Sequence, residues 1–181
     1  MDLLKLITNA RTCRRYVESK ELEPGTLPWL IECARLSPSA GNQQPLRYLT
    51  VSTPAKRAAF FPSLVWAASL PEWPGPAEGE RPTGYIVVLA PKAEDGKIGR
   101  FTYMDVGIAC QSIQLAASTK GIGVCMFGSF KPQLIREVLP VPEDYEIMLC
   151  LALGHELEER HVAPVPADGN VKYYRDDKGV H

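Results

Sequence analysis

Residues 101–120 form the longest helical stretch of the chain and constrain its fold most strongly. Their apolar positions are spread around most of the helix circumference and comprise Val106, Ala109, Cys110, Ile113, Leu115, Ala116 and Ala117. Lys120 and Gly121 supply C-terminal signals. Because a helix that is apolar on nearly all sides must be covered by its own domain or by a partner subunit, we expect a central, buried helix.

Helical and strand-like segments alternate along the rest of the chain. Apolar spacing and composition predict helices at about residues 2–10, 27–36, 55–68 and 132–139. Apolar runs of strand length predict strands at about residues 47–52, 85–90 and 145–153. This order predicts an α+β or α/β sandwich built around a small sheet.

The 181 residues, of which 45% are apolar and 23% charged, fit one domain. We expect this domain to span residues 1–165, with an arm or tail at residues 166–181. Residues 71–84 hold four prolines and three glycines, which predicts an inserted loop without regular structure. The loop is either a disordered excursion or an ordered segment anchored by Trp73.

Composition also narrows the function classes. A net charge of −1 gives no electrostatic basis for binding nucleic acid or an anionic membrane. The chain has no apolar run long enough to span a bilayer and no convincing signal peptide. Five scattered cysteines without Cys-x-x-Cys spacing favour reduced thiols, and so a cytoplasmic location.

Residues 37–45, Ser-Pro-Ser-Ala-Gly-Asn-Gln-Gln-Pro, form a rigid polar turn between a predicted helix and a predicted strand. Pro38 and Pro45 restrict the backbone, whereas Gly41 permits angles closed to other residues. The side chains of Ser39 and Asn42 could meet a flat polar ligand. The alternative is a simple helix-to-strand connector, whose composition is the same.

Arg11, Thr12 and Arg14 bring guanidinium groups and a hydroxyl together after the first predicted helix. Such groups suit a phosphate, although a solvated basic turn has the same composition. The glycines at 121, 123 and 128 follow a helix rather than a strand, so they do not fit a Rossmann dinucleotide motif.

Side chains that could carry chemistry by themselves are scarce. The histidines lack metal-ligand spacing, and the pair Glu158-Glu159 is interpreted as exposed. Cys13 lies among arginines that could lower its pKa, but no histidine partner is evident. A protein without its own acids, bases and nucleophiles can rely on a cofactor for its reaction.

The chain resembles the nitroreductase family of FMN-dependent oxidoreductases. Residues 11–16, Arg-Thr-Cys-Arg-Arg-Tyr, are similar to the family's phosphate segment, Arg-Ser-x-Arg-x-Phe. Residues 37–45 are similar to its Pro-Ser-x-x-Asn-x-Gln-Pro signature. The third similarity is the long apolar helix followed by Gly121-Ile122-Gly123 and by residues 125–128, Cys-Met-Phe-Gly.

The resemblance implies a three-layer α/β/α sandwich with a small, mainly antiparallel sheet. It also implies an intertwined homodimer with FMN at the interface. Arg11, Thr12 and Arg14 would hold the FMN phosphate, with Arg15 as an alternative to Arg14. The FMN-binding residues implied elsewhere are Pro38, Ser39, Ala40 and Asn42 at the isoalloxazine or ribityl group, and Met126, Phe127 and Gly128 at the flavin ring.

Two departures from the family pattern concern the phosphate. Position 10 is alanine, where many members of the family have a second arginine. Many members also end in a basic segment that folds back on the phosphate, for which Lys172 or Arg175 would be the substitute here.

The activity implied is FMN-dependent reduction of nitroaromatic, quinone or similar small acceptors by ping-pong hydride transfer from NAD(P)H. Residues 71–84 would form a lid over the substrate. One alternative is a flavin-binding or sensing protein with little turnover. Others are flavin destruction or reductive dehalogenation, and a colourless interaction domain.

Overall fold

The computed structural model describes residues 2–67 and 72–172. Its helices are α1 (Leu3–Asn9), α2 (Thr26–Arg35), α3 (Pro54–Phe60), α4 (Arg100–Ser118) and α5 (Pro132–Val138). Its strands are β1 (Arg47–Val51), β2 (Gly84–Pro91), β3 (Ile122–Phe127) and β4 (Tyr145–His155). Within these described ranges, none of the helices is long and apolar enough to cross a membrane.

The four strands form one sheet in the order β1-β2-β4-β3, and every neighbouring pair is antiparallel. The central strands β2 and β4 are covered on both faces, which explains the continuous apolar run of β2. Ile86 and Val88 contribute to one core, whereas Tyr85 and Val87 contribute to the other, because side chains alternate along a strand.

Helices cover both faces of the sheet. Leu30 of α2 and Ile113 of α4 are fully buried in the first core. Phe60 of α3 and Ile135 of α5 are fully buried in the second. The predicted three-layer α/β/α sandwich with an antiparallel sheet is therefore confirmed.

Helix α4 is buried on one side only within a single chain. The side facing the sheet includes Val106, Ala109 and Ile113, which are between 0% and 7% exposed. Met104 and Ile108, on the side away from the sheet, are 54% and 42% exposed. The sequence located this helix correctly, but its own domain covers only half of the apolar circumference.

The prediction of a helix at residues 55–68 is wrong for the second half of that range. Helix α3 ends at Phe60, and a single 3-10 turn, Phe61–Ser63, follows it. Pro62 explains the end because it has no N–H to donate and its ring clashes with the preceding turn. Leu64 then forms an isolated bridge with Phe130, and residue 68 lies outside the described ranges.

Residues 72–83 contain no helix or strand, as their composition predicts. This segment is nevertheless anchored: Trp73 packs edge-on against Trp66, with ring centroids 6.2 Å apart. The Glu80 carbonyl also accepts a hydrogen bond from the Tyr16 amide at 2.9 Å. Trp73 packs against the core formed with α3 and α5, on the sheet face opposite α4.

Candidate functional site

The turn at residues 37–45 has an unusual backbone that exposes its polar groups. Gly41, Asn42 and Gln44 have φ values of 57°, 53° and 49°. Glycine adopts this left-handed region freely and asparagine tolerates it, whereas at Gln44 it is strained by about 1 kcal/mol or more. Pro38 and residues 41–44 are exposed, while Ser39 and Ala40 are half-buried.

Asp105 of α4 holds this turn, and sequence reasoning missed it. One carboxylate oxygen accepts a hydrogen bond from the Ala40 amide at 2.9 Å, and the other accepts one from the Ser39 hydroxyl at 2.9 Å. Ser39 Oγ in turn accepts a hydrogen bond from the Gln44 amide at 3.0 Å. A buried acid within a predicted apolar helix was the signal that could have revealed this contact.

A cavity of about 320 Å³ lies beside the turn, between α2, β1 and α4. Ser39 and Asp105 line it together with Arg35, Arg47 and Tyr48. Burial raises the pKa of the Tyr48 phenol to about 12, so this group remains a hydrogen-bond donor at neutral pH. The cavity combines apolar walls with a few polar groups, which is typical of ligand sites.

The predicted phosphate segment lies along the outer edge of strand β3. Thr12 forms a parallel bridge with Val124, and the Cys13 amide donates to the Val124 carbonyl at 2.9 Å. Gln114 of α4 donates to the Ala10 carbonyl at 2.5 Å, which fixes the start of the segment. The sheet and α4 therefore position Thr12 and the two arginines beside it.

The arginines of this segment have different surroundings. Arg15 donates from Nε to Glu80 at 2.7 Å, and this hydrogen bond raises the pKa of Arg15. Arg11 is exposed, and within residues 2–67 and 72–172 no carboxylate lies within ion-pair distance of it. Of these two cations, Arg11 is the one available to a phosphate.

Arg160 is a further cation at this segment that sequence reasoning did not identify. Its side chain is 8% exposed, donates to the Arg11 carbonyl and pairs with Glu156 at 2.5 Å. Lys172, one of the two residues that could substitute for the family's basic C-terminal segment, is exposed, and the other, Arg175, lies outside the described residues. No local motif marks Arg160, because only the return of the chain after β4 brings it here.

The interpretation of Glu158 as an exposed residue is wrong. Glu158 is 7% exposed, and its carboxylate accepts a hydrogen bond from the Arg14 amide. The pKa of Cys13 also differs from expectation, since burial raises it to about 12 despite the charge of Arg160. Cys13 is therefore an inert core thiol at neutral pH.

The residues predicted at the flavin ring lie at the end of β3. Phe127 is 4% exposed, and its ring packs edge-on against Trp66 with centroids 4.6 Å apart. Met126 points to the other sheet face and packs against the core that includes α4. Gly128 is exposed. The Phe127 side chain is thus a core residue, and contact with a ligand there would fall to the backbone, Met126 and Gly128.

The two predicted halves of the FMN site contact opposite sides of α4. Asp105 holds the turn at residues 37–45, and Gln114 holds the phosphate segment. Nine residues separate these contacts, which corresponds to about 14 Å along the helix axis and about two and a half turns. One chain therefore does not bring the two halves to the same side of the helix.

Comparison with known proteins identifies the family. The profile of the nitroreductase family matches residues 7–155. An Archaeoglobus fulgidus protein with the provisional name NADH dehydrogenase/NAD(P)H nitroreductase is 26% identical over 167 residues, which cover 88% of each chain. A 5,6-dimethylbenzimidazole synthase from Rhodospirillum rubrum is 25% identical over 171 residues, 84% of this chain and 80% of that protein.

Solved structures show the same fold. An FMN-dependent nitroreductase from Clostridium difficile R20291 superposes with a TM-score of 0.71 at 22% identity, covering 90% of this chain and 92% of that chain. A nitroreductase family protein from Clostridium novyi NT also gives a TM-score of 0.71, at 20% identity. That match covers 87% of this chain and 86% of the other.

Proposed function

The chain belongs to the nitroreductase family, and from this membership we propose that it is an FMN-dependent oxidoreductase. It takes hydride equivalents from NAD(P)H and reduces nitroaromatic, quinone or similar small acceptors. The observation that carries the proposal is the match of the family profile over residues 7–155, a range that includes both predicted halves of the FMN site.

The residues present suit FMN. Arg11 and Thr12 offer a cation and a hydroxyl to the phosphate, and Arg14 and the nearby Arg160 add further positive charge. The exposed turn at residues 41–44 presents backbone and amide groups with fixed directions. The carboxylate of the buried Glu158 would repel a phosphate and so weaken its binding. We therefore expect the affinity for the phosphate to depend on the nearby cations.

When bound, FMN supplies hydride transfer between the nicotinamide and the acceptor. The chain's own residues would bind FMN and orient its ring. Pro38, Ser39, Ala40 and Asn42 would set the plane of the ring, and Met126, Phe127 and Gly128 would border it through backbone and side-chain contacts. The apolar wall of the neighbouring cavity would exclude water from the reacting face.

We further propose that the active form is a homodimer. Phe101, Met104 and Ile108 share the face of α4 that the sheet leaves uncovered, and each is more than 40% exposed. The turn at residues 37–45 lies on one flank of this face and the phosphate segment on the other. Pairing two such faces about a two-fold axis would bring the turn of one chain towards the phosphate segment of its partner.

The dimer is tested with Ile108→Asp, which places a charge on the uncovered face. We expect monomers in light scattering and a loss of FMN uptake, because a site shared between chains would be split. Val165→Asp is the control, since Val165 is 66% exposed outside this face. Monomeric Ile108→Asp protein that retains FMN would contradict the shared site, and an Ile108→Asp variant that stays dimeric would contradict the assignment of this face to the dimer interface.

The cofactor is tested by the absorbance of the purified protein and by chromatography of any flavin released on denaturation. We expect the released flavin to be FMN. We also expect NADH or NADPH to reduce the bound flavin under anaerobic conditions, and a nitroaromatic or a quinone to reoxidise it. A colourless protein that takes up no added FMN would overturn the proposal. Slow reduction by both nicotinamides would instead indicate a sensing role, and poor flavin recovery would indicate flavin destruction.

A further inference from the structure

Glu158 brings a negative charge into the predicted phosphate segment. Glu156 pairs with Tyr16 in an antiparallel bridge, so the residue two positions further along the chain lies opposite Arg14. The Arg14 amide donates a hydrogen bond to the Glu158 carboxylate, and Glu158 is only 7% exposed. The fold therefore holds a buried carboxylate against the backbone of the segment that we expect to bind the FMN phosphate.

The Arg14 amide has a different kind of partner from the amides near it. The Arg11 and Cys13 amides donate to main-chain carbonyls, at 2.7 and 2.9 Å, and these contacts hold the segment in place. The Arg14 amide donates to a carboxylate instead. Backbone amides and arginines are the donors with which proteins bind phosphate oxygens. The carboxylate of Glu158 therefore occupies a donor that a phosphate could use.

A second buried charge, that of Arg160, lies near this carboxylate. Arg160 pairs with Glu156, donates to the Arg11 carbonyl and has a side chain that is 8% exposed. Both charges act on one thiol: burial raises the pKa of Cys13, the charge of Arg160 lowers it, and the charge of Glu158 raises it. The chain after β4 thus brings an anion and a cation together to the phosphate segment.

We propose that the Glu158 carboxylate competes with the flavin phosphate for the Arg14 amide and so weakens the binding of FMN. This inference rests on the proposed function. Residues 11–14 span about 10 Å at most, even when fully extended. A phosphate held by Arg11 and Thr12 would therefore lie within about one Debye length of the carboxylate, and a buried charge is screened little at that distance. A flavin without a phosphate would not meet this competition.

The test titrates flavin-free wild type, Glu158→Gln and Glu158→Ala with FMN and with riboflavin, which lacks the phosphate, and follows flavin fluorescence. Glutamine removes the charge but keeps an oxygen for the Arg14 amide, whereas alanine also frees the amide. We expect the dissociation constant of FMN to fall about tenfold in Glu158→Gln and at least as far in Glu158→Ala, because the phosphate no longer displaces an anion. The dissociation constant of riboflavin should change less than about twofold in both variants.

Glu159→Gln is the matched control. It removes the same charge from the adjacent position, where the side chain is 71% exposed. FMN affinity should change less than about twofold at physiological ionic strength, because solvent and salt screen an exposed charge. A gain in Glu159→Gln as large as that in Glu158→Gln would reflect net charge alone and would overturn the proposal.

Unchanged or weaker FMN binding in both Glu158 variants would also overturn it, as would an equal gain for riboflavin. If wild type binds FMN and only the gain is missing, the inference fails and the proposed function stands. If neither wild type nor the variants bind any flavin, both fail. Amide hydrogen exchange without flavin tests the contact independently: the Arg14 amide should be protected in wild type and Glu158→Gln and exchange faster in Glu158→Ala, whereas equal exchange in all three would refute the contact.

Discussion

Arg11 and Arg15 look equivalent in the sequence, but their surroundings assign them different roles. Arg15 pairs with Glu80 and so joins residues 72–83 to the segment that precedes Tyr16. Arg11 is exposed; its backbone amide donates to the Asn9 carbonyl, and its backbone carbonyl accepts from Arg160. The sequence shows that both residues carry a positive charge. Whether such a residue is available to a ligand or supports the structure depends on whether a carboxylate lies within reach of it.

Arg11→Ala is expected to raise the FMN dissociation constant about tenfold or more, because a charge-assisted hydrogen bond contributes about 1.5–3 kcal/mol. The stability of the ligand-free protein should not change, since no ion pair is lost. Fluorescence titration and urea denaturation measure the two quantities.

Arg15→Ala is the matched control for this experiment. It should lower the free energy of unfolding by about 1 kcal/mol, because the ion pair between Arg15 and Glu80 is lost, while FMN affinity is retained. The opposite pattern, with Arg15 needed for FMN and Arg11 for stability, would reverse the assignment.

At the scale of secondary structure, the site depends on how closely the phosphate segment approaches β3. A Cβ atom at Gly123 would lie 2.6 Å from both Cβ and Sγ of Cys13, and 2.9 Å from Cγ of Glu156. Glycine is required here because there is no room for a side chain between the strand and its neighbours. The backbone contact of Cys13 with Val124 depends on the same close approach.

Gly123→Ala should therefore push residues 11–14 away from β3. We expect it to lower the free energy of unfolding by about 1–3 kcal/mol and to weaken FMN binding as well. Gly99→Ala is the control, because its added Cβ would be at an ordinary 3.5 Å from the nearest atom, Thr102 Oγ1. Unchanged stability and affinity in Gly123→Ala would show that the segment can adjust its position.

At the scale of the whole molecule, the core buries several thiols and a phenol and so keeps them protonated. Burial raises the pKa of Cys13, Cys110 and Cys125 to about 12, and that of the Tyr48 phenol to about 12. In the unfolded chain these thiols ionise near pH 9 and the phenol near pH 10. Folded protein therefore retains protons that unfolded protein releases in this range.

Stability should thus fall as the pH rises from about 9 towards 12. The sign follows because the folded state binds more protons, so the free energy of unfolding decreases by up to about 1.4 kcal/mol per pH unit for each such group. Urea denaturation between pH 8 and 11 measures the slope, which should be shallower in Cys110→Ala. A flat profile would contradict the raised pKa values.

The sequence located most of the elements because apolar periodicity and turn residues act locally. The strands at residues 85–90 and 145–153 and the helix at residues 101–120 were predicted to within about two residues. The extent of the helix after Pro54 was missed, although Pro62 carried the signal. The turn at residues 37–45 was recognisable because its prolines, glycine and amides are consecutive in the chain.

Tertiary structure alone decided which distant groups meet. Asp105 reaches Ser39 and Ala40 across more than sixty positions, and Arg160 reaches Arg11 across 149. Glu158 belongs to a charged, polar stretch of the sequence, yet it is buried because the chain after β4 returns to the phosphate segment, where its carboxylate accepts a hydrogen bond from the Arg14 amide. Periodicity reports which face of an element is apolar, but hydrogen bonds between elements depend on packing angles and register that no local pattern encodes.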